Sequence, residues 1–225
     1  PMATLSPEQQ YALELLNSGE NVFLTGGAGS GKSYLIRHFM QQLDSKQTPV
    51  LASTGAAAVL LGGRTFHSFF GLGIMEGGVD ATIERASKDH RLLNRLKNAE
   101  GVIVDEISMI PGSALMTAEA IAKKAKGSKL PWGGLRIICV GDFAQLPPVT
   151  RTGARDWAFR NEVWQQSGFH VCQLSHNQRV QDNDFLDILG DVRYGKVTPR
   201  VFDFLGQKVR PHVEEDSGIR LFGRR

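Results

Sequence analysis

The chain has few cysteines and no long hydrophobic run, and these two absences exclude whole classes of protein. Its only cysteines, Cys139 and Cys172, lie far apart, with no CxxC pattern and no cluster of cysteine and histidine. A disulfide scaffold and a structural zinc site are therefore not expected, and both thiols are predicted to be buried and reduced. No apolar run approaches the roughly 18 residues of a membrane span, so we expect a soluble, intracellular protein without a membrane partner.

The sequence also lacks a strong excess of charge of either sign. It carries 26 lysines and arginines against 23 aspartates and glutamates, and 41% of its 225 residues are hydrophobic. These values are typical of a globular protein and exclude wholesale disorder. Basic residues are in excess only in 193–225, where eight of them face four acidic residues. That excess is compatible with a polyanionic partner, but it is equally typical of a solvated surface.

Short apolar segments alternate with helical patterns along most of the chain. Strands are predicted at 21–25, 49–53, 101–105, 135–140 and 169–174. Helices are predicted at 6–17, 32–43, 56–62, 112–126, 184–193 and 199–208. The first helix is marked by Ser6 as its cap, Pro7 at its first position and Gln9 three residues after the cap. Apolar strands separated by helices are typical of a mainly parallel sheet covered on both faces, so the expected fold class is α/β.

Two stretches interrupt this alternation. Residues 70–98 begin rich in glycine and then become charged and helical, which predicts a small insertion subdomain. Residues 219–222 read as the beginning of a further strand.

Residues 26–33, GGAGSGKS, match the pattern GxxxxGK[ST] and lie between a predicted strand and a predicted helix. Glycines in such a loop let backbone N–H groups converge on phosphate oxygens at the start of the helix. The Lys32 ammonium would contact the β and γ phosphates, and the Ser33 hydroxyl can ligate Mg²⁺. The predicted nucleotide contacts in this loop are Gly27, Ala28, Gly29, Ser30, Gly31, Lys32 and Ser33.

Polar side chains follow two of the other predicted strands. Asp105 and Glu106 come directly after the apolar residues 102–104. In this position Asp105 can hold Mg²⁺, and Glu106 can orient or deprotonate the attacking water, which together indicate hydrolysis. Gln145, in the loop after the next strand, could sense the γ phosphate, although an ordinary turn would show the same spacing.

Six motifs, in this order, resemble those of the Pif-type DNA helicases of superfamily 1B, which are relatives of the RecD helicases. They are LSPEQ at 5–9, GGAGSGKS at 26–33, STGAAA at 53–58, TFHS at 65–68, DEISM at 105–109 and GDFAQLPPV at 141–149. The resemblance extends from Leu5 to about Phe222. It implies a RecA-like P-loop NTPase fold that binds ATP with Mg²⁺, namely the N-terminal motor domain of a helicase moving 5′ to 3′ on DNA.

The resemblance also implies roles for single residues. Gln9 matches the glutamine that reads the adenine edge, and Gln145 matches the γ-phosphate sensor. Arg179 matches an arginine directed at the γ phosphate, where it would stabilise transition-state charge. The family has a glutamine directly after that arginine, whereas here Val180 intervenes before Gln181.

Single-stranded and forked DNA are the nucleic-acid partners that the resemblance implies. The residues matching its two DNA-contacting motifs are Thr54, Gly55, Ala57, Thr65, Phe66, His67 and Ser68. Small residues admit the backbone, hydroxyls bind phosphate, and an aromatic ring can stack on a base. Phe66 with its neighbours Phe69 and Phe70 is also typical of a core cluster, and His67 of a structural histidine. Residues 70–98 match the insertion that acts as a wedge at a duplex fork.

The expected domain organisation is one RecA-like domain, 1–69 and 99–210, interrupted by the 70–98 insertion and followed by a linker at 211–225. A second RecA-like domain, which the family uses to close the nucleotide cleft, has no room in this chain. We expect a truncated motor domain that does not unwind DNA alone, although the same sequence would fit a naturally reduced protein.

Three further functions are compatible with these motifs. The first is a nucleotide-gated DNA- or protein-binding module without useful turnover. The second is a RecD-like subunit of a nuclease complex, which stable association with partner proteins would distinguish. The third is a P-loop ATPase unrelated to nucleic acid, which would bind no single strand at low salt.

Overall fold

The structure is a computed structural model, and it describes residues 5–60, 62–149, 155–176 and 183–209. Six strands form one sheet in the order β3-β2-β4-β5-β1-β6, and every neighbouring pair is parallel. The strands are β1 (Val22–Gly26), β2 (Val50–Ala52), β3 (Arg64–Thr65), β4 (Gly101–Val104), β5 (Arg136–Gly141) and β6 (His170–Leu174). The predicted α/β class is confirmed. Strand β3 was not predicted, because two residues are too few to show a pattern.

The helices are α1 (Pro7–Asn17), α2 (Lys32–Met40), α3 (Gly55–Leu60), α4 (Phe66–Phe70), α5 (Gly78–Ser87), α6 (His90–Asn98), α7 (Gly112–Lys126), α8 (Glu162–Gln166), α9 (Asn183–Arg193) and α10 (Pro199–Gly206). The predicted cap of α1 is confirmed: Gln9 N donates to Ser6 Oγ at 3.3 Å, and Ser6 N donates to Gln9 Oε1 at 3.0 Å. Within the described ranges, no helix combines the length and the apolar character that crossing a membrane requires.

Alternate residues of the strands face two hydrophobic cores. Val22 and Leu24 of β1 pack with α1 and α2 on one face of the sheet, whereas Phe23 packs with α7 on the other. Because both faces are covered, β1, β2, β4 and β5 are almost wholly buried and mainly apolar, which is why their positions were readable from the sequence. Strands β3 and β6 contain exposed polar residues. Both cysteines are buried and free, as predicted.

Residues 70–98 are built into the second of these cores. Ala86 of α5 and Leu92 and Leu96 of α6 are buried in the cluster that also contains residues of α7. The chain divides into two compact units, Pro1–Gln181 and Asp182–Arg225, and the expected domain boundaries stay a prediction. Residues 70–98 therefore belong to the first unit, because their helices bury apolar side chains in its core. The wedge role stays a prediction.

The second unit contains α9 and α10, which lie where the sequence predicted two helices. The rings of Phe185 and Phe204 are 5.7 Å apart, and the Arg200 guanidinium lies 3.1 Å from Asp184 Oδ1. The expected strand at 219–222 and the linker at 211–225 lie outside the described residues.

The parallel sheet brings the predicted motifs together at the edge formed by the carboxyl ends of its strands. The phosphate loop follows β1, Asp105 follows β4, and Gln145 lies in the loop after β5. Because the carboxyl ends of parallel strands lie at the same edge, these segments converge there, which is where open α/β sheets bind their ligands.

Candidate nucleotide and nucleic-acid site

The loop between β1 and α2 has a backbone that only glycine accommodates. A Cβ on Gly26 would lie 2.5 Å from the Leu174 carbonyl oxygen and 2.6 Å from Ser30 Oγ. Gly29 and Gly31 have φ values of 78° and 91°, in the region that L side chains rarely adopt. Gly31 is also the N-cap of α2 and supplies no side-chain acceptor. The first N–H groups of α2 thus stand at the end of this loop, as a phosphate site requires.

Lys32 is held against the same loop by its side chain. Its Nζ donates to the carbonyl oxygens of Gly26 at 2.8 Å and Gly27 at 3.0 Å. Ser30 is buried, and its hydroxyl has no hydrogen-bond partner among the described residues. A buried hydroxyl without a partner is costly, so a ligand oxygen at this loop would satisfy it. The loop therefore fits a nucleotide phosphate by its backbone, its cation and its unpaired hydroxyl.

Asp105 and Glu106 lie beyond the end of β4 as predicted. Asp105 N donates to the Leu51 carbonyl at 2.9 Å, and Asp105 Oδ1 accepts from Glu106 N at 3.0 Å. Glu106 has φ 52° and ψ 48°, a left-handed conformation that is uncommon outside glycine and occurs at functional sites.

The electrostatics of these carboxylates place them near Lys32. Burial raises the pKa of the Asp105 carboxyl, and the Lys32 ammonium opposes that increase. Burial, then the Asp105 charge, and less strongly the Asp142 charge raise the pKa of Glu106, again against Lys32. Glu106 is thus within electrostatic range of Asp105, Asp142 and Lys32. A raised pKa suits a carboxylate that accepts a proton from water.

Asp142 is a site residue to which sequence reasoning assigned no role. It is buried, and its Oδ2 accepts from Gln145 Nε2 at 3.1 Å while its Oδ1 accepts from Ala144 N at 3.0 Å. The bond to Gln145 fixes the orientation of the predicted γ-phosphate sensor. The available signal was an aspartate two residues after the strand predicted at 135–140.

Ser33 and Arg179 are the two remaining predicted residues of the phosphate and magnesium site. Ser33 is exposed in the first turn of α2, where its hydroxyl is the predicted magnesium ligand beside Asp105. Arg179 lies outside the described residues. Across the ranges given above, no group of three or more histidine, cysteine, aspartate or glutamate side chains is arranged to hold a metal.

Gln9 is buried and already has a structural role. Its Oε1 accepts from Ser6 N in the cap of α1, whereas its Nε2 makes no hydrogen bond within the described part of the chain. The amide N–H groups can therefore still donate to an acceptor on a base. Adenine recognition by Gln9 stays a prediction, and the contact would be made by Nε2.

Glu8, next to Gln9, joins the start of α1 to the segment after β6, a contact that the sequence did not suggest. The Glu8 carboxylate accepts from the Ser175 hydroxyl, and its Oε2 accepts from Ser175 N at 3.0 Å and from His176 N at 3.4 Å. These bonds, foremost the one from the Ser175 hydroxyl, lower the pKa of Glu8 to about 2. The Glu8 carboxylate thus stays ionised at pH values well below the usual pKa of a glutamate side chain.

Glu8→Gln is expected to weaken the acid dependence of stability. The folded-state pKa lies below the ordinary value of 4.5. The ionised group therefore stabilises the fold above that value, and this contribution is lost as the pH falls toward about 2. The side chain is 30% exposed, so water screens the interaction and we expect at most about 1 kcal/mol. Thermal melting from neutral to acidic pH measures the difference, with Glu14→Gln as a control on the same helix. Parallel profiles for both variants would contradict the prediction.

The two predicted DNA-contacting motifs lie side by side at the same edge of the sheet. Ala52 pairs with Thr65 across β2 and β3, and Thr54 follows β2. Thr54 Oγ1 accepts from Ala57 N at 3.2 Å, and Thr65 Oγ1 accepts from Ser68 N at 3.1 Å. Both threonines thus begin short helices, α3 and α4, and the sheet brings these two helix starts together.

The individual members of these motifs differ in accessibility. Gly55 and Ser68 are exposed, and a Cβ on Gly55 would meet nothing within 4 Å. His67 is half-buried, and burial lowers the pKa of its imidazole, which favours the neutral ring at pH 7. His67 can therefore offer a hydrogen bond but not a reliable positive charge.

The stacking role that the sequence suggested for an aromatic residue is not available to Phe66. Its side chain is fully buried, and its ring centroid lies 4.8 Å from that of Phe70. The reason is the geometry of α4, whose inward face carries Phe66, Phe69 and Phe70 into the core. The interpretation of these phenylalanines as core residues is confirmed, and any DNA contact at position 66 is limited to its backbone.

Arg95 of α6 is a further residue at this edge that sequence reasoning missed. Its Nη2 donates to the carbonyl oxygens of Phe69 at 2.7 Å and Ser68 at 3.2 Å. The segment 70–98 is therefore tied directly to the end of α4. Nothing local in the sequence marks this contact, because 26 positions separate Arg95 from Phe69.

Comparisons with known proteins show the family to which this chain belongs. Residues 4–201 match the family described as PIF1-like helicase. An ATP-dependent DNA helicase Pif1 of Bdellovibrio bacteriovorus is 72% identical over 221 residues, which are 98% of this chain and 50% of that protein. The crystal structure of Pif1 helicase from Candida albicans superposes with a TM-score of 0.85 at 35% identity, over 95% of this chain and 50% of that one.

A third comparison concerns a ligand-bound structure. Pif1 helicase from Bacteroides in complex with ADP-AlF3 and ssDNA matches with a TM-score of 0.80 at 29% identity, over 96% of this chain and 52% of that one. The chain thus spans about half the length of these relatives. With its phosphate loop, its paired carboxylates and the family match over most of its residues, the chain belongs to the PIF1-like helicase family.

Proposed function

We propose that this chain is the ATP-binding and ATP-hydrolysing motor domain of a 5′-to-3′ DNA helicase and that it binds single-stranded DNA. One observation carries the proposal: the phosphate loop, the acidic pair and the two threonine-capped helix starts all lie at the carboxyl edge of one parallel sheet. The relatives support it, since all three are named Pif1 helicases and the Bacteroides structure contains ADP-AlF3 and ssDNA. The direction of movement rests on the resemblance alone.

The residues divide the chemistry of hydrolysis among themselves. The loop from Gly27 to Gly31 and the N-terminus of α2 bind the phosphates, and Lys32 adds positive charge beside them. Glu106, with its raised pKa, accepts a proton from the attacking water. Gln145, oriented by Asp142, reads the presence of the γ phosphate. Mg²⁺ held by Ser33 and Asp105 would neutralise the phosphate charge, and oxygen donors of this kind suit that ion.

Two contacts link the residues proposed to bind the nucleotide with those proposed to bind DNA. Strand β2, which leads to Thr54, is hydrogen-bonded to the start of the acidic turn through Leu51 O and Asp105 N. Ser53 Oγ lies 3.7 Å from Met109 Sδ, which belongs to the turn after Glu106. A shift of the turn at Asp105 and Glu106 on hydrolysis would therefore move the start of α3.

The experiment is magnesium-dependent ATP hydrolysis by the 225-residue chain at low salt, with and without a single-stranded oligonucleotide. We expect the DNA to raise turnover, and we expect no unwinding of a duplex by this chain alone, since it spans half of its relatives. Nucleotide binding with no turnover in the presence of DNA would instead favour a nucleotide-gated binding module. Absence of single-strand binding at low salt would favour an ATPase unrelated to nucleic acid.

A further inference from the structure

Two arginines lie beside the 65–68 motif and are not explained by the nucleotide chemistry. Arg64 precedes Thr65 in β3 and is exposed, whereas Arg95 reaches the same place from α6 and is half-buried. Neither belongs to the motifs that identified the family in the sequence. The inference drawn from them rests on the proposed binding of single-stranded DNA and adds a contact to it.

Arg95 is fixed in one orientation by the end of α4. Its Nε and Nη2 both donate to the Phe69 carbonyl, at 3.3 and 2.7 Å, and Nη2 also donates to Ser68 O. Its Cζ lies 5.3 Å from the centroid of the Phe69 ring. Nη1 makes no hydrogen bond within the described residues, so two N–H donors remain for a ligand. The side chain is preorganised, and binding through Nη1 would cost little further ordering.

Arg64 brings a second positive charge close to the first. Burial and then the charge of Arg64 lower the pKa of Arg95, while Asp89 opposes them. The Asp89 carboxylate already caps α6, because its Oδ1 accepts from Arg91 N and Leu92 N at 3.0 Å each. Arg64 itself forms no ion pair or hydrogen bond with the residues that the structure describes. Arg64 directly precedes Thr65, the cap of α4, and Arg95 is bonded to the carbonyls of Ser68 and Phe69 in the same helix. Two positive charges thus lie at the two ends of one short helix, an arrangement that an anion stabilises.

The position of the pair indicates the kind of anion. Thr65 pairs with Ala52 of β2, so the arginines lie along the same edge as Thr54, Gly55 and Ser68. A single strand that follows the two threonine-capped helices would place its phosphates there. We propose that Arg64 and Arg95 form a phosphate-binding subsite for the backbone of single-stranded DNA, with Arg95 as the preoriented member and Arg64 as the exposed one. Guanidinium groups bind phosphate oxygens through paired N–H donors, so this contact is independent of base sequence.

The test is the salt dependence of binding to a fluorescent oligothymidylate, measured by anisotropy with the 225-residue chain. For single strands, each phosphate contact contributes about 0.7 to the slope of log affinity against log salt. Arg64→Ala is expected to reduce the slope by about 0.7 and to weaken binding about tenfold at low salt. An oligonucleotide of mixed sequence should show the same loss. Arg64→Lys, which keeps the charge, should retain most of the slope.

The matched control is Arg37→Ala. Arg37 is an exposed arginine on α2, a helix that packs on the opposite face of the sheet. Equal slopes for the wild type and Arg64→Ala would overturn the subsite, as would equal reductions in Arg64→Ala and Arg37→Ala. If the wild type itself binds no single strand, the proposed function fails rather than this contact alone. Thermal melting of Arg64→Ala checks its fold, and Arg64→Glu, which reverses the charge, should weaken binding further.

Discussion

Lys32→Ala is expected to lower ATP hydrolysis by at least about 100-fold, which is the usual effect of losing one preorganised charge donor in an active site. The Lys32 ammonium donates hydrogen bonds to two carbonyls of the phosphate loop. It also opposes the rise that burial causes in the pKa values of Asp105 and Glu106. Its removal leaves two neighbouring carboxylates, those of the half-buried Asp105 and the more exposed Glu106, without their opposing charge. Nucleotide affinity should fall together with turnover, because the same charge acts in binding and in the transition state.

The control for this variant is Lys46→Ala. Lys46 is exposed and precedes β2, so it lies at the opposite edge of the sheet from the phosphate loop. We expect its loss to leave ATP hydrolysis unchanged. Hydrolysis is measured as phosphate release under saturating nucleotide, and thermal melting shows that Lys32→Ala is folded. Turnover in a folded Lys32→Ala protein within about threefold of the wild type would contradict the prediction.

Glu106→Gln is expected to abolish turnover while nucleotide binding persists. The substitution preserves size but removes the group that accepts a proton, and loss of a general base costs about 100- to 10,000-fold. The left-handed turn at Glu106 orients its side chain independently of charge, so glutamine can occupy the same position. Removing one negative charge beside the phosphates does not oppose binding. The result should thus differ from that of Lys32→Ala, which loses both properties.

Glu100→Gln provides a matched control, because Glu100 lies just before β4 and Glu106 lies just after it. The comparison places the same substitution at the two ends of one strand. Single-turnover hydrolysis and binding of a fluorescent nucleotide separate chemistry from affinity. In the wild type, turnover should decline as the pH drops through the raised pKa of Glu106, which lies above the ordinary 4.5. Loss of affinity equal to the loss of turnover would assign Glu106 to binding instead.

The fold was predictable to the extent that local patterns record it. Strand β4 and helix α7 were found at or within one residue of their bounds, because buried strands are continuously apolar and α7 has a clear helical period. Helix α5 was not predicted as a separate element. It begins in a pair of glycines, Gly77 and Gly78, and its packing against α7 is a long-range contact.

The candidate site divides in the same way. The phosphate loop and the acidic pair were located by spacing, since each is a short segment with a fixed relation to its strand. Two features could not be predicted from the sequence. One is the burial of Phe66, and the other is that Gln9 caps α1 through Oε1 while its Nε2 stays available for a base. Phe66 has the same neighbours in the sequence whether its ring faces the core or the solvent, and the sheet and α7 decide between the two.

The sequence by itself determined the alternation of strands and helices, the phosphate-binding loop and the family of the chain. Only the tertiary structure decided which groups meet: Glu8 with Ser175, Asp142 with Gln145, and Arg95 with Ser68. The physical reason is the range of the interactions. Helix caps and glycine turns depend on residues a few positions apart, whereas the joining of β6 to α1 or of α6 to α4 depends on the order of strands in the sheet.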